Sequence, residues 1–132
     1  MLKNTGFWII IFVIVVNFLL GFVFNFFRFG WFDTSLHFLG GLGVYFILAQ
    51  YFRKDLAGLS WLKRTISLVG VSVLVGVVWE FAEYSATVIP VVLPLPWDGL
   101  SFIGDLPDTL TDLALDISGA LFGAILHFFR KR

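Results

Sequence analysis

The 132-residue chain has no cysteine, which excludes a disulfide framework, a thiolate metal site and a thiol nucleophile. Charge is scarce as well: Asp, Glu, Lys and Arg make up 14%, where a soluble globular domain carries about 25%. So short a chain could not cover a water-facing surface with so few polar groups. What it has instead is 59% hydrophobic residues, 17 phenylalanines and a mean hydropathy of +0.95. These values describe an integral membrane protein forming a single domain over residues 1–132. The formal net charge is zero, so there is no basic excess to attract nucleic acid.

Proline is as informative by its placement as by its rarity. All four prolines fall between Pro90 and Pro107, in a stretch that also holds Trp97 and a Asp98-Gly99 turn. The spacing predicts an apolar, proline-rich interfacial loop over 90–107, outside the helices. Four apolar runs remain, and they predict transmembrane helices over about 6–28, 34–53, 64–89 and 108–129. The first run is longer than a signal-peptide core and has no small-residue cleavage site behind it, so it reads as a retained span. The expected fold class is therefore all-α: a four-transmembrane-helix bundle.

Lysine and arginine orient it. Arg53, Lys54, Lys63 and Arg64 lie between the second and third runs, and Arg130, Lys131 and Arg132 close the chain. By the positive-inside rule both segments are cytoplasmic, giving an N-in/C-in protein of a bacterial or archaeal inner membrane. On this topology eight of the nine acids face outward, with Arg28, and eight of the nine bases face inward, with Asp55. Net neutrality thus conceals an almost complete separation of sign.

The acids form a pattern. Asp33 and His37 are four apart, Glu80 and Glu83 three apart, and Asp108, Asp112 and Asp116 repeat every four residues, so each set occupies one helix face. The predicted topology brings all three sets to the outer half of the bundle. At 1.5 Å per residue Asp116 lies about 12 Å below Asp108, well inside the hydrocarbon layer. In the first run Asn17, Gly21 and Asn25 share a face that could close the site. A charge at a helix centre costs about 2.5–3.5 kcal/mol, so Glu80, Glu83, Asp112 and Asp116 must face inward. The sequence offers no buried Lys or Arg to pair with them, which leaves protons, water or cations.

A divalent cation is the preferred compensator. One imidazole with several carboxylates suits Mn, Fe or Zn, and with fewer imidazole contacts Mg or Ca. The expected ligand set is Asp33, His37, Glu80, Glu83, Asp108, Asp112 and Asp116. The Glu-x-x-His signature of bundled di-metal carboxylate proteins is missing. Simpler roles compete for some of these residues: helix capping for Asp33 and Asp108, and an interhelical hydrogen bond for His37. His127 and the loop acids Asp98 and Asp105 read as interfacial or solvated.

Alternative functions start from the same residues. In a metal-dependent enzyme acting on an envelope lipid, Glu83 or Asp108 would be the general base on a metal-activated water. A proton- or cation-coupled transporter would use the acids as a relay, although no titratable partner continues it through the inner half. A structural subunit would use the Gly119/Gly123 and Ser72/Gly76 pairs and the Gly40, Gly41 and Gly43 cluster as close-packing faces, which also suit a homo-oligomer. The abundant phenylalanine is expected to face the lipid bilayer.

The motifs Asp33-Thr-Ser-Leu-His37-Phe-Leu-Gly40, Trp79-Glu80-Phe-Ala-Glu83 and Asp108-x-x-x-Asp112-x-x-x-Asp116-Ile-Ser-Gly119-Ala together resemble the small inner-membrane proteins of the DUF2238 (YjdF-like) family. More distantly the chain is similar to VanZ-like membrane proteins, which share the Asp-x-x-x-His-Phe element and usually carry Asn where Asp116 stands. The resemblance implies a polytopic membrane protein with these acids and this His as its signature, and its distant arm implies a place in cell-envelope biology. The topology has a direct check: a reporter enzyme fused after Gly58 should be active only in the cytoplasm, and one fused after Leu100 only outside. The reverse pattern would invert the orientation.

Overall fold

A computed structural model describes residues 4–24, 26–92 and 106–129. Lys3, Asn25, residues 93–105 of the expected proline-rich loop, with Trp97, Asp98 and Asp105, and the C-terminal Arg130, Lys131 and Arg132 lie outside the described residues. All regular structure within them is helical: α1 (Thr5–Val16), a π-helical segment (Asn17–Val23), a 3₁₀ turn (Phe26–Arg28), α2 (Gly30–Tyr51), α3 (Trp61–Val92) and α4 (Leu106–Phe129). In lipid a backbone must satisfy its own polar groups, so an apolar chain of this kind becomes helical whatever its side-chain propensities. The stretch Ile9–Val16 in α1, β-branched at every position but Phe12, is an example.

Among the described residues three helices are long and apolar enough to cross a membrane: Gly30–Tyr51, Trp61–Ser85 and Leu106–Phe129. The fourth apolar element, Thr5–Gly21, is shorter. The expected single helix over about 6–28 is broken, because the winding loosens at Asn17 into the π segment and tightens again at Phe26. At Gly21 the ring of Phe27 folds back onto the backbone, where a Cβ would overlap it. The expected loop boundaries shift too. α3 runs on through Pro90 to Val92, and α4 begins at Leu106 with Pro107 in its first turn, where a missing N–H is harmless.

Glycine fixes the packing. α2 lies closest to α4, and the contact is made of backbone: Gly41 sits on the Asp116 main chain, Gly119 on the Phe38 carbonyl, and Gly123 under the Tyr45 ring. α1 packs on α2 in the same way, with Gly6 against Gly43 and Ile47, and Gly43 against Ile9 and Ile10. The Gly119/Gly123 pair, expected to serve either the bundle or a second copy, is buried inside the bundle. Ala120 and Ala124 continue that seam into a core with Leu42, Tyr45, Phe46, Ala49 and Leu68. This core fills the half of the bundle near the α2–α3 connection. There Arg64 donates to the carbonyls of Leu56 (3.0 Å), Ala57 and Leu59 (both 3.4 Å), and the Tyr45 hydroxyl lies 3.4 Å from His127 Nδ1. Large apolar side chains such as Phe12, Phe81, Phe122 and Phe129 face outward, as a lipid-facing surface requires.

A Cβ at position 119 would meet backbone that cannot swing away, whereas one at position 70 meets nothing within 4 Å. Gly119→Ala should therefore destabilise the folded bundle by about 1–3 kcal/mol. Gly70→Ala should be neutral or stabilising by up to about 1 kcal/mol. Thermal unfolding in detergent distinguishes them, and equal midpoints would overturn the glycine account.

Candidate functional site

The half of the bundle away from the α2–α3 connection is polar inside. His37 is one turn beyond Asp33 on α2, and the residue is 5% exposed. It points between α3 and α4. Its Nε2 lies 3.9 Å from Asp33 Oδ1, 3.9 Å from Glu80 Oε1 and 4.0 Å from Asp112 Oδ2. The opposite ring edge faces a different acid, with Nδ1 3.5 Å from Asp116 Oδ2. One imidazole thus meets four carboxylates from three helices, three on one nitrogen and one on the other.

Two atoms each about 2.1 Å from one ion can be at most about 4.2 Å apart, so each Nε2–carboxylate distance is compatible with a shared cation. Three groups have ligand atoms all within 4.8 Å of one another: His37–Glu80–Asp112, Asp33–His37–Glu83 and Asp33–Asp108–Asp112. The first is wholly buried, and the other two lead outward through half-buried Asp33 and Glu83 to exposed Asp108. Six of the seven residues expected to bind metal fall within these overlapping groups. Asp116 does not, because it holds the far edge of the imidazole.

Asp116 is seated with some precision. Gly76 of α3 faces its Oδ2 so closely that a Cβ would displace the carboxylate, and Gly40 of α2 lies beside Oδ1. Ser72, one turn before Gly76, is buried and donates to the Leu68 carbonyl at 2.8 Å, so it gives Asp116 nothing. Two buried oxygens then lack a hydrogen bond among the described residues, Asp116 Oδ2 and Glu80 Oε1, and both point at His37. Buried acceptors left without donors are costly, and sites that bind ions or ligands are where they persist. Capping is not the role of Asp33, since α2 has Phe29 as its N-cap with no side-chain cap; Asp33 and Asp108 both stand inside the first turns of their helices. Anions there are favoured by the helix dipole.

Three participants were not singled out from the sequence. The indole of Trp79 donates to Glu83 Oε1 at 2.8 Å, and the spacing of four on one helix was the available signal. Thr109 of α4 lies beside Glu80 across the α3–α4 interface, for which sequence spacing offers no signal. Gly76 was read only as a packing residue. Asn17 does reach the site, lining a cavity of about 380 Å³ together with Asp33, His37 and Asp116. That cavity is otherwise mostly apolar.

With this geometry in hand, the comparisons place the protein in a class: residues 1–132 match the family described as predicted membrane protein, DUF2238. The chain belongs to the DUF2238 family. No curated protein and no solved structure matches it.

Four desolvated carboxylates around one imidazole repel one another unless something positive joins them. In chelator, Glu80→Gln and Asp112→Asn should therefore each raise the thermal stability of the protein, by on the order of 1 kcal/mol. A lower unfolding midpoint for both variants in chelator would show that the acids are held by the bundle itself.

Proposed function

We propose that this protein binds a divalent cation at His37 Nε2, Glu80 and Asp112, with Asp33 as a further ligand and Glu83 and Asp108 lining the approach. The observation that carries this reading is the division of the imidazole between two tasks. Nε2 faces three carboxylates at 3.9–4.0 Å, while Nδ1 faces Asp116 at 3.5 Å. Histidines that ligate metals almost always donate their other N–H to a carboxylate, which fixes the tautomer and turns the free lone pair toward the metal. Asp116 then orients rather than ligates. The orphaned Glu80 Oε1 gains the partner it lacks.

The donor set is one nitrogen among carboxylate oxygens, which suits Mn, Fe or Zn better than an all-oxygen ion such as Ca. The site lies on the outer side of the inner membrane in this reading. Its support is the charge gradient along the bundle, with Arg53, Lys54, Lys63 and Arg64 at the end opposite the acids. Cations would then enter from outside, past Asp108 and Glu83.

Elemental analysis of protein purified without chelator should find a divalent metal at near one per chain, and His37→Ala should lose it. Asp116→Asn should retain the stoichiometry at saturation but bind about 10–100-fold more weakly. No bound Mn, Fe, Zn, Mg or Ca, and no thermal shift on adding any of them, would overturn the reading.

A further inference from the structure

A cation on His37 Nε2, held by Glu80, Asp112 and Asp33, leaves Asp116 on the far edge of a neutral imidazole. The four carboxylates that face this ring keep a formal excess of two negative charges over one divalent ion, and of three over an imidazolium without the ion. Asp116 Oδ2 has room for another donor, since a carboxylate oxygen accepts two and Nδ1–H supplies at most one. The residue is 5% exposed, and Oδ2 has no hydrogen bond among the described residues. Yet the carboxylate is not walled in. Asp116 lines the cavity of about 380 Å³, as do Gly40 beside Oδ1 and Gly76 facing Oδ2. A side chain at position 76 would take the space through which Oδ2 is reached.

The lining selects the occupant. Its charged groups are Asp33 and Asp116, with no lysine or arginine among the described residues around it, so an anion or a phospholipid head group is repelled. The other walls are apolar, with Ile10, Val13, Val44 and Val75, which suits neither a hydrated metal ion nor water. A bare hydrocarbon brings no donor to Oδ2. An organic ammonium brings the donor, the charge and an apolar body together, and its hydrogen bond to a carboxylate is charge-assisted. Phe18 and Trp79 also line the cavity, and aromatic rings favour such cations. The volume is near the small end of the roughly 300–1,000 Å³ of ligand sites. Ile14 and Val75, on the α1 and α3 walls, are 51% and 42% exposed, so the cavity opens to the bilayer, where an alkylamine partitions. We propose that this cavity binds a small primary alkylammonium carrying no anionic group, its N–H donating to Asp116 Oδ2 and its hydrocarbon lying against Ile10, Val13, Val44 and Val75. The excess of negative charge exists with or without a metal at Nε2, so this site goes beyond the cation reading and does not depend on it.

The probe is n-octylamine carrying a diazirine on its alkyl chain, photolysed with the purified protein in nanodiscs, and adducts are mapped by mass spectrometry. Adducts are expected on Ile10, Val13, Val44 or Val75, and excess unlabelled n-octylamine should remove them. The same excess of n-octanol, which lacks the charge, or of octyltrimethylammonium, which lacks the N–H, should compete about tenfold less well or worse. Asp116→Asn, at saturating metal, should cut cavity labelling by about tenfold or more while adducts on outward-facing Ile66 and Phe81 stay unchanged. Gly76→Ala, which crowds the carboxylate without removing its charge, should do the same and serves if the first variant fails to fold. Labelling confined to outward-facing residues, equal competition by octanol or by octyltrimethylammonium, or labelling indifferent to both substitutions would overturn the proposal. Metal content is measured on the same samples. A protein without metal that still labels in the cavity loses the cation reading and keeps the amine site; a metal-loaded protein that does not label there loses the amine site alone.

Discussion

A carboxylate in hydrocarbon costs about 2.5–3.5 kcal/mol on insertion scales, and this small protein places several of them in its spans. Everything else in the bundle follows from enclosing them. Three helices must come close enough to wrap one imidazole and four acids, and bulky side chains between them would hold the helices apart. Glycine removes that obstacle at each critical crossing: Gly41 and Gly119 let α2 and α4 touch backbone to backbone, and Gly76 leaves a carboxylate-sized space on α3. The usual account of small residues in membrane helices is tight packing for its own sake. Here one of them makes room for a charge.

The bundle is divided along its length. Toward the α2–α3 connection Leu42, Phe46, Leu68, Ala120 and Ala124 form an ordinary apolar core, tied off by Arg64 on three carbonyls. Toward the other end the interior is polar and crowded with like charge. The apolar half supplies the packing that a strained polar half cannot, which is how proteins generally carry a functional site at a stability cost.

Much of this was legible in the sequence because lipid imposes strict rules. Long apolar runs in α2, α3 and α4 had to be helices, and acids at spacings of three and four had to share faces. Alternation of direction then brought Asp33, Glu80 and Asp112 to one end. The break in the first apolar run was not legible. Hydropathy is continuous across Asn17 and Gly21, and it carries no sign of the contact that accompanies the break, Phe27 folding back on Gly21. The two-sided use of His37 was equally hidden, since spacing says that residues meet but not which ring nitrogen each one faces. Pro90 misled for a related reason: proline removes one hydrogen bond, and a helix already paid for by its neighbours can absorb that loss.

The depth of His37 carries a consequence for any ion bound there. The residue lies seven positions into α2, about 10 Å along a hydrocarbon layer of about 30 Å, or near one third of the way through. One charge crossing the whole membrane exchanges about 2.3 kcal/mol per 100 mV. In the proposed orientation, a divalent ion that reaches His37 from outside would gain about 1.5 kcal/mol per 100 mV of inside-negative potential, roughly a tenfold change in occupancy. Occupancy would then depend on whether the cell is energised as well as on the cation outside it.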